Sequence, residues 1–354
     1  MNLDESNETN TDSTRKLASI KIVNNVIEHK NANSLELSII EGWQVVTRVG
    51  EVKKGDKVIY CEIDSLLPNA PWLPEAIKGK IGNDTQFRLR TMKLRGEISQ
   101  GLIVPISETI RHMTEYEVDT DVTAELRIQK YEAPTFSGSY ANNKGKTTIS
   151  TFPKHLLNKT DEPRIQSNLK LLKLINGREY YITVKCDGSS GTFLIDPNTD
   201  EFIVCSRNQI RPRPVNIEEC PYWSVAIKYD IETKLRQYGK PIALQGEVCG
   251  PKIQKNLLNL GECDLFVFNI IDLATKSLLP YNDFILIVKQ MGLQSVPIEK
   301  VGDSFEIDDV KTLLSMAEGK YKNTKNQREG LVVRTQNGRV SFKVISNAYL
   351  LKYE

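Results

Sequence analysis

The chain has 354 residues, too many for one ordinary core and suited to two domains of about 130 and 200 residues. With 40% hydrophobic and 26% charged residues it has enough apolar mass to fold without a disulfide or metal staple. A net charge of +2, from 47 basic and 45 acidic residues, excludes a bulk-cationic nucleic-acid binder but leaves local basic patches open.

In chain order, residues 1–16 are rich in Asn, Asp, Glu, Ser and Thr and read as a disordered tail, without the apolar run of a signal peptide. No segment anywhere approaches the roughly 18 uninterrupted apolar residues of a membrane span. The six cysteines contain no CxxC pair, and the three histidines have no helical spacing between them. That pattern fits reduced thiols in an intracellular, cytoplasmic protein better than a zinc site.

From Leu17 to about Ile106, short β-branched runs alternate with turns. Gln44–Val49 and Lys57–Ile63 flank the turn cluster Lys53-Lys54-Gly55-Asp56, Arg88–Arg95 reads as another strand, and Ser99–Val104 follows. Strands this dense predict a small OB-like β-barrel over 17–130. Its residues Arg88, Arg90, Lys93 and Arg95 could follow a phosphate backbone or simply form a solvated edge. Residues 131–150 are turn-rich without hydrophobic period and read as a linker. In 151–354, strands near 180–184, 201–205, 242–248, 265–271, 330–334 and 340–344 mix with few helices, giving an α+β domain. One predicted helix follows Pro221 and is closed by Gly239, one lies between Asn282 and Gly292, and one is capped by Asp308 and ended by Gly319.

The chemistry gathers in this second half. The strand Tyr180–Val184 runs into Lys185-Cys186-Asp187-Gly188, where a desolvated lysine with a lowered pKa would be a nucleophile. Lys-x-Asp-Gly alone is a weak signal and by itself reads better as a surface turn with a solvated lysine. An ordered series follows it: Cys205-Ser206-Arg207-Asn208, then Gln245-Gly246-Glu247-Val248, Phe266-Val267-Phe268-Asn269, Arg328-Glu329-Gly330-Leu331, and Ser341-Phe342-Lys343-Val344.

As a set, these motifs resemble the covalent nucleotidyltransferase superfamily of ligases and mRNA capping enzymes. Within it the chain is similar to ATP-dependent RNA ligases that carry an OB module on the N-terminal side, and Asp161-Glu162-Pro163-Arg164 strengthens that likeness. Only 11 residues follow Lys343, too few for a C-terminal OB module. The resemblance implies a ligase-type, ATP-grasp-like α+β domain built on antiparallel sheets. It also implies ATP as the AMP donor, Mg2+ or Mn2+, and RNA or an RNA-containing nicked duplex as the substrate, with no membrane and no obligate protein partner.

By that resemblance Lys185 is the nucleophile, Glu329 organises a metal and its waters, and Asp187 aligns the lysine or a metal. Glu247 and Arg207 bind the ribose, and Glu247 joins the possible metal ligands. Phe268 stacks on adenine, with Phe266 as the alternative stacker or core. Lys343 contacts the α-phosphate, Arg164 reaches the β- or γ-phosphate, and Val332 completes the nucleotide site. Two positions depart from the family pattern: Asn269 stands where an aspartate is usual, and Ile345 where many relatives have a lysine, with Lys352 as a substitute. Arg207, Arg211 and Arg213 form a basic loop suited to RNA phosphates or to solvent. The alternatives within the chemistry are a DNA ligase and a capping guanylyltransferase. Outside it stands a catalytically inactive RNA-binding relative.

Overall fold

The computed structural model describes residues 15–81, 86–106, 117–131, 151–159 and 161–354. Most of the expected tail (1–14) and nearly all of the expected linker (132–150) lie outside them. The chain splits into two compact units. One is built of Ser13–Ala133 with Ile165–Leu169 and Asn347–Glu354, the other mainly of Pro134–Arg164 and Lys170–Ser346.

The first unit carries β1 (Ala18–Ile22), β2 (Asn25–Glu28), β3 (Leu35–Ile40), β4 (Trp43–Arg48), β5 (Lys57–Cys61) and β6 (Ser65–Pro68). After helix Glu75–Ile81 come β7 (Gln86–Arg88), β8 (Met92–Leu94), β9 (Glu97–Ser99), β10 (Leu102–Val104) and β11 (Gln129–Lys130). The strands β1 and β10 flank β5, β2 to β4 form a meander, β6 lies between β11 and β7, and β8 pairs β9. Period-two patterning drives this arrangement: Trp43, Val45 and Thr47 of β4 point inward while their neighbours are half-exposed. Ile20, Ile59, Leu67, Leu89 and Val104 meet in the core.

Two expected strands are each divided in two. The expected strand 88–95 stops after Arg88 and resumes at Met92, and at its end Leu94 pairs with Glu97 across Arg95 and Gly96, at φ +50° and +99°. That is the positive-φ pair of a tight hairpin turn, which a hydrophobic pattern does not disclose. Within 99–104 the strand breaks at Gly101, at φ +102°, where a Cβ would come within 2.3 Å of the Tyr60 ring. Of the four basic residues, Arg88 turns inward, bonding Asp64 at 2.9 Å and lying over the Tyr131 ring. Arg90, Lys93 and Arg95 stay exposed.

The second unit holds β12 (Tyr180–Lys185), β13 (Ser189–Ile195), β14 (Phe202–Ser206), β15 (Ile242–Cys249), β16 (Asp264–Asp272) and β17 (Ser277–Leu278). Further along are β18 (Gln294–Ser295), β19 (Ile298–Gly302), β20 (Gly330–Thr335) and β21 (Ser341–Ile345). One sheet has the order β19-β12-β20-β21 and the other β14-β13-β15-β16-β17, all antiparallel, with β18 added parallel to β16. Helices Pro221–Lys228, Ile231–Tyr238 and Tyr281–Gln290 cover one face of the larger sheet, packing Trp223, Ile231, Leu235, Phe284 and Val288 on Phe193, Leu244 and Val267.

The single helix expected after Pro221 is two helices. Asp230 sits at φ +48°, a left-handed residue that stops the first and starts the second. The helix at Val310–Ala317 is capped by Asp309, whose side chain accepts from the Thr312 N–H at 2.8 Å, rather than by Asp308. All six cysteines are free. Among the described residues no helix is long and apolar enough to cross a membrane.

Candidate active site

The chain passes from one sheet to the other at Cys186-Asp187-Gly188, so Lys185 ends β12 just before β13 begins in the larger sheet. On one side β12 pairs β20, with Lys185 opposite Gly330 and Thr183 opposite Val332. On the other, β13 pairs β15, with Ser190 opposite Glu247. Val332, 8% exposed, faces Lys343 of β21 in register. Gly330 is required here: its φ is +152°, and a Cβ would stand 2.0 Å from the Val344 carbonyl oxygen.

The Lys185 ammonium contacts both carboxylate oxygens of Glu329, at 2.8 Å and 2.7 Å. Burial alone would lower its pKa, but Glu329, Glu247 and Asp187 face it and hold it above the ordinary lysine range. The lowered lysine expected from the sequence is thus reversed, because carboxylates rather than cations surround it. Burial raises Glu247 to about 7; Lys185 and Arg207 pull it down, while Glu329 and Asp187 add to the rise. Lys343 moves the other way. Burial, with Lys185 and Arg164 nearby, brings it down to about 8 against the opposing influence of Asp161.

Asp161 joins residues that the sequence named separately. Its carboxylate binds the Lys343 ammonium at 2.8 Å and the Arg207 guanidinium at 2.7 Å. The segment around it docks on β21: the Lys343 N–H donates to the Pro163 carbonyl at 2.8 Å, and Arg164 forms a parallel bridge with Lys343. Glu162 is anchored deeper, accepting from Arg334 at 2.8 Å and from the Ser341 hydroxyl. Arg334 also donates to the Phe268 carbonyl at 3.0 Å.

Phe268 lies at a register shift of β16, where Gln245 faces Asn269 but Gly246 faces Val267. Such a bulge re-aims a side chain. Phe266 and Phe268 share a half-buried face and pack together with Cys186, Cys249 and Val296. Asn269 is 3% exposed and donates to Gln245 at 3.2 Å, and Gln245 in turn reaches Thr192 at 3.4 Å. A neutral side chain suits that buried row, since an aspartate there would bury a charge.

Lys185, Glu329, Glu247, Asp187, Lys343, Arg164 and Arg207 are therefore linked by contact or charge within one unit, with Val332 opposite Lys343 in the ladder. Phe268 is tied to them through Arg334. Ile345 is 2% exposed in the core, and Lys352 belongs to the other unit, its ammonium over the Tyr353 ring. Arg211 and Arg213 lie over Tyr222 and Trp223. Among the described residues no three or more His, Cys, Asp or Glu side chains are grouped to hold a metal ion. Sequence reasoning gave no role to Asp161, Glu162, Tyr321 or Arg334. Only the acidic pair inside Asp161-Glu162-Pro163-Arg164 offered a signal for any of them.

Comparison with known proteins finds likeness over both parts of the chain. The family model described as RNA ligase matches residues 178–345, and an OB-fold domain model matches residues 17–106. The structure of Naegleria gruberi RNA ligase with PPi superposes with a TM-score of 0.85 at 31% identity, covering 95% of this chain and 98% of that one. A lysine-to-alanine mutant of the same enzyme, solved with ATP and Mn, gives 0.83 at 30% identity, with 95% and 98% coverage. A lysine-to-methionine mutant with AMP and Mn gives 0.85 at 31%, again with 95% and 98% coverage. No curated protein matches the sequence significantly.

Proposed function

The chain belongs to the RNA ligase family, the type with an N-terminal OB-fold domain, and from that premise we propose that it seals RNA 3′-hydroxyl and 5′-phosphate ends with ATP through a covalent lysyl-AMP. The observation that carries this is the Lys185 amine held by Glu329 within one charge cluster that also takes in Glu247, Asp187, Lys343 and Arg164, with Arg207 beside Asp161. Charges so concentrated are costly for a protein that only binds RNA.

In the first step the Lys185 amine attacks the α-phosphorus of ATP. An N–P bond forms, the bond to the bridging oxygen breaks, and pyrophosphate leaves. The attacking amine must be neutral, so Lys185 must give up its proton before attack although Glu329, Glu247 and Asp187 favour the ammonium. Lys343 stabilises charge on the α-phosphate, and Arg164 orients the pyrophosphate. Glu247 and Arg207 hold the ribose, while Phe268 stacks on adenine against Val332 on the opposite sheet. The AMP then passes to an RNA 5′-phosphate, and a 3′-hydroxyl displaces it as the phosphodiester forms. Each step is in-line phosphoryl transfer, so the protein's contribution is positioning and charge.

The carboxylate donors Glu329, Asp187 and Glu247 suit Mg2+ or Mn2+ chemically, but they form no ready cage. They would supply one or two ligands to an ion held mostly by nucleotide phosphates and water. Such an ion, when bound, neutralises phosphate charge. The substrate we favour is a nick or break in an RNA-containing duplex, with the OB-fold unit gripping nucleic acid and the Arg207–Arg213 loop meeting phosphates. Six free thiols fit an intracellular place of action.

Label transfer from α-labelled ATP, with GTP in parallel, tests this proposal. Wild type should take acid-labile, alkali-stable label from ATP, and Lys185→Ala should take none while remaining folded. A Lys185→Ala protein that sealed at the wild-type rate would remove the nucleophile assignment. Label from GTP alone would point to capping chemistry, and no label from either to an RNA-binding relative without turnover.

A further inference from the structure

The ladder between β12 and β20 ends at the pair Lys185 and Gly330, so the backbone groups just beyond it need other partners. One side chain serves both strands. The Tyr321 hydroxyl donates to the Lys185 carbonyl at 2.9 Å and accepts from the Glu329 N–H at 3.1 Å. Tyr321 is only 6% exposed. Burial and the neighbouring Glu329 keep its phenol far above the ordinary range, so it remains a donor.

The residue is itself held firmly. Its N–H donates to the Asn326 carbonyl at 3.1 Å, and its carbonyl accepts from the Thr324 hydroxyl at 3.1 Å. Lys320 and Gln327 bridge behind it, and Asn326 is tied to the Leu257 carbonyl at 2.8 Å. Nothing in this loop needs a tyrosine hydroxyl for its own closure. That hydroxyl is spent on the backbones of the two residues whose side chains meet at the amine.

We propose, resting on the lysyl-AMP chemistry above, that Tyr321 is a positioning residue that fixes the Lys185 backbone against the Glu329 backbone and so sets how the carboxylate meets the amine. It touches neither the reacting atoms nor the groups assigned to the nucleotide. Its removal should therefore slow transfer without weakening nucleotide binding, since a misplacement of about 1 Å can cost roughly a hundredfold in rate.

The test compares full-length wild type, Tyr321→Phe and Thr324→Ala. In Tyr321→Phe the rate of AMP transfer to Lys185 at saturating ATP should fall about tenfold or more. Affinity for α,β-methylene-ATP should stay within about twofold, as expected when only transition-state placement is lost. Hydrogen exchange at the Glu329 amide should accelerate while the amides of Leu331 to Val333 keep their protection. Thr324→Ala, which loosens the loop but keeps the hydroxyl, should show the same pattern more weakly and stands in if Tyr321→Phe fails to fold. A wild-type transfer rate in Tyr321→Phe, weakened analogue binding at an unchanged rate, or unchanged exchange at Glu329 would each overturn the inference. If wild type takes no label, the proposed reaction fails, and exchange at Glu329 still decides whether the hydroxyl couples the two strands.

Discussion

Lys343 sits between opposed influences: burial, Lys185 and Arg164 favour the neutral amine, and the Asp161 carboxylate favours the ammonium. With its pKa brought down to about 8, the residue is charged below that pH and neutral above it. An incoming phosphate requires the charged form, so binding above about pH 8 must take up a proton. Apparent ATP affinity should therefore fall as pH rises above about 8, by up to about tenfold per unit. Lys343→Arg, which cannot deprotonate in this range, should show no such fall. Asp161→Asn removes the carboxylate whose charge and hydrogen bond raise Lys343 and should move the break to lower pH. Equilibrium titrations between pH 6.5 and 9.5 read all three proteins, and a wild-type curve that stayed flat would refute the assignment of Lys343 to phosphate.

At the scale of elements, Glu162 and Arg334 tie three pieces together: the Asp161–Arg164 segment, β20, and the Phe268 carbonyl on β16. Their side chains are 7% and 3% exposed, so removing one partner strands a buried charge. Arg334→Met should cost about 3–5 kcal/mol of stability by denaturant unfolding, while Glu162→Gln with Arg334→Met should recover part of that loss. A single mutant of near wild-type stability would mean that the pair is not held as a pair. Sequence reasoning could not reach this tie, because the partners are 172 residues apart and nothing in the strand that carries Arg334 points to a distant carboxylate. Lys185, Glu247, Glu329 and Lys343 are legible instead from an ordered series of short motifs: three of them lie in β12, β15 and β21, and Glu329 directly precedes β20. Tyr321 stands eight residues before Glu329 in a polar loop, and only the fold brings its hydroxyl back to the strand ends. One element failed in the same way: the break that divides the helix expected after Pro221 is decided by a single positive-φ residue, Asp230, which hydrophobic period ignores.

For the whole molecule, every residue assigned to the covalent step falls within one unit, whereas the chain does not divide cleanly at a single linker. Ile165–Leu169 and Asn347–Glu354 belong with the N-terminal unit, and Ile165, Tyr349 and Leu350 are buried. Deleting Met1 to Lys130 therefore removes the unit to which those apolar side chains belong. We expect residues 131–354 to label Lys185 from ATP at a rate within about tenfold of the full chain, because the charge constellation that positions the phosphates is retained. Sealing of a nicked RNA duplex should fall by orders of magnitude, because the OB-fold unit is the proposed nucleic-acid grip. Trimming further to 131–346 removes helix Asn347–Tyr353 with its buried Tyr349 and Leu350. That shorter chain should be the more soluble of the two at equal labelling rate. If instead both truncations lose labelling as completely as sealing, the OB-fold unit helps build the ATP site, and domains bounded at 130 and 151 are not separate functional parts.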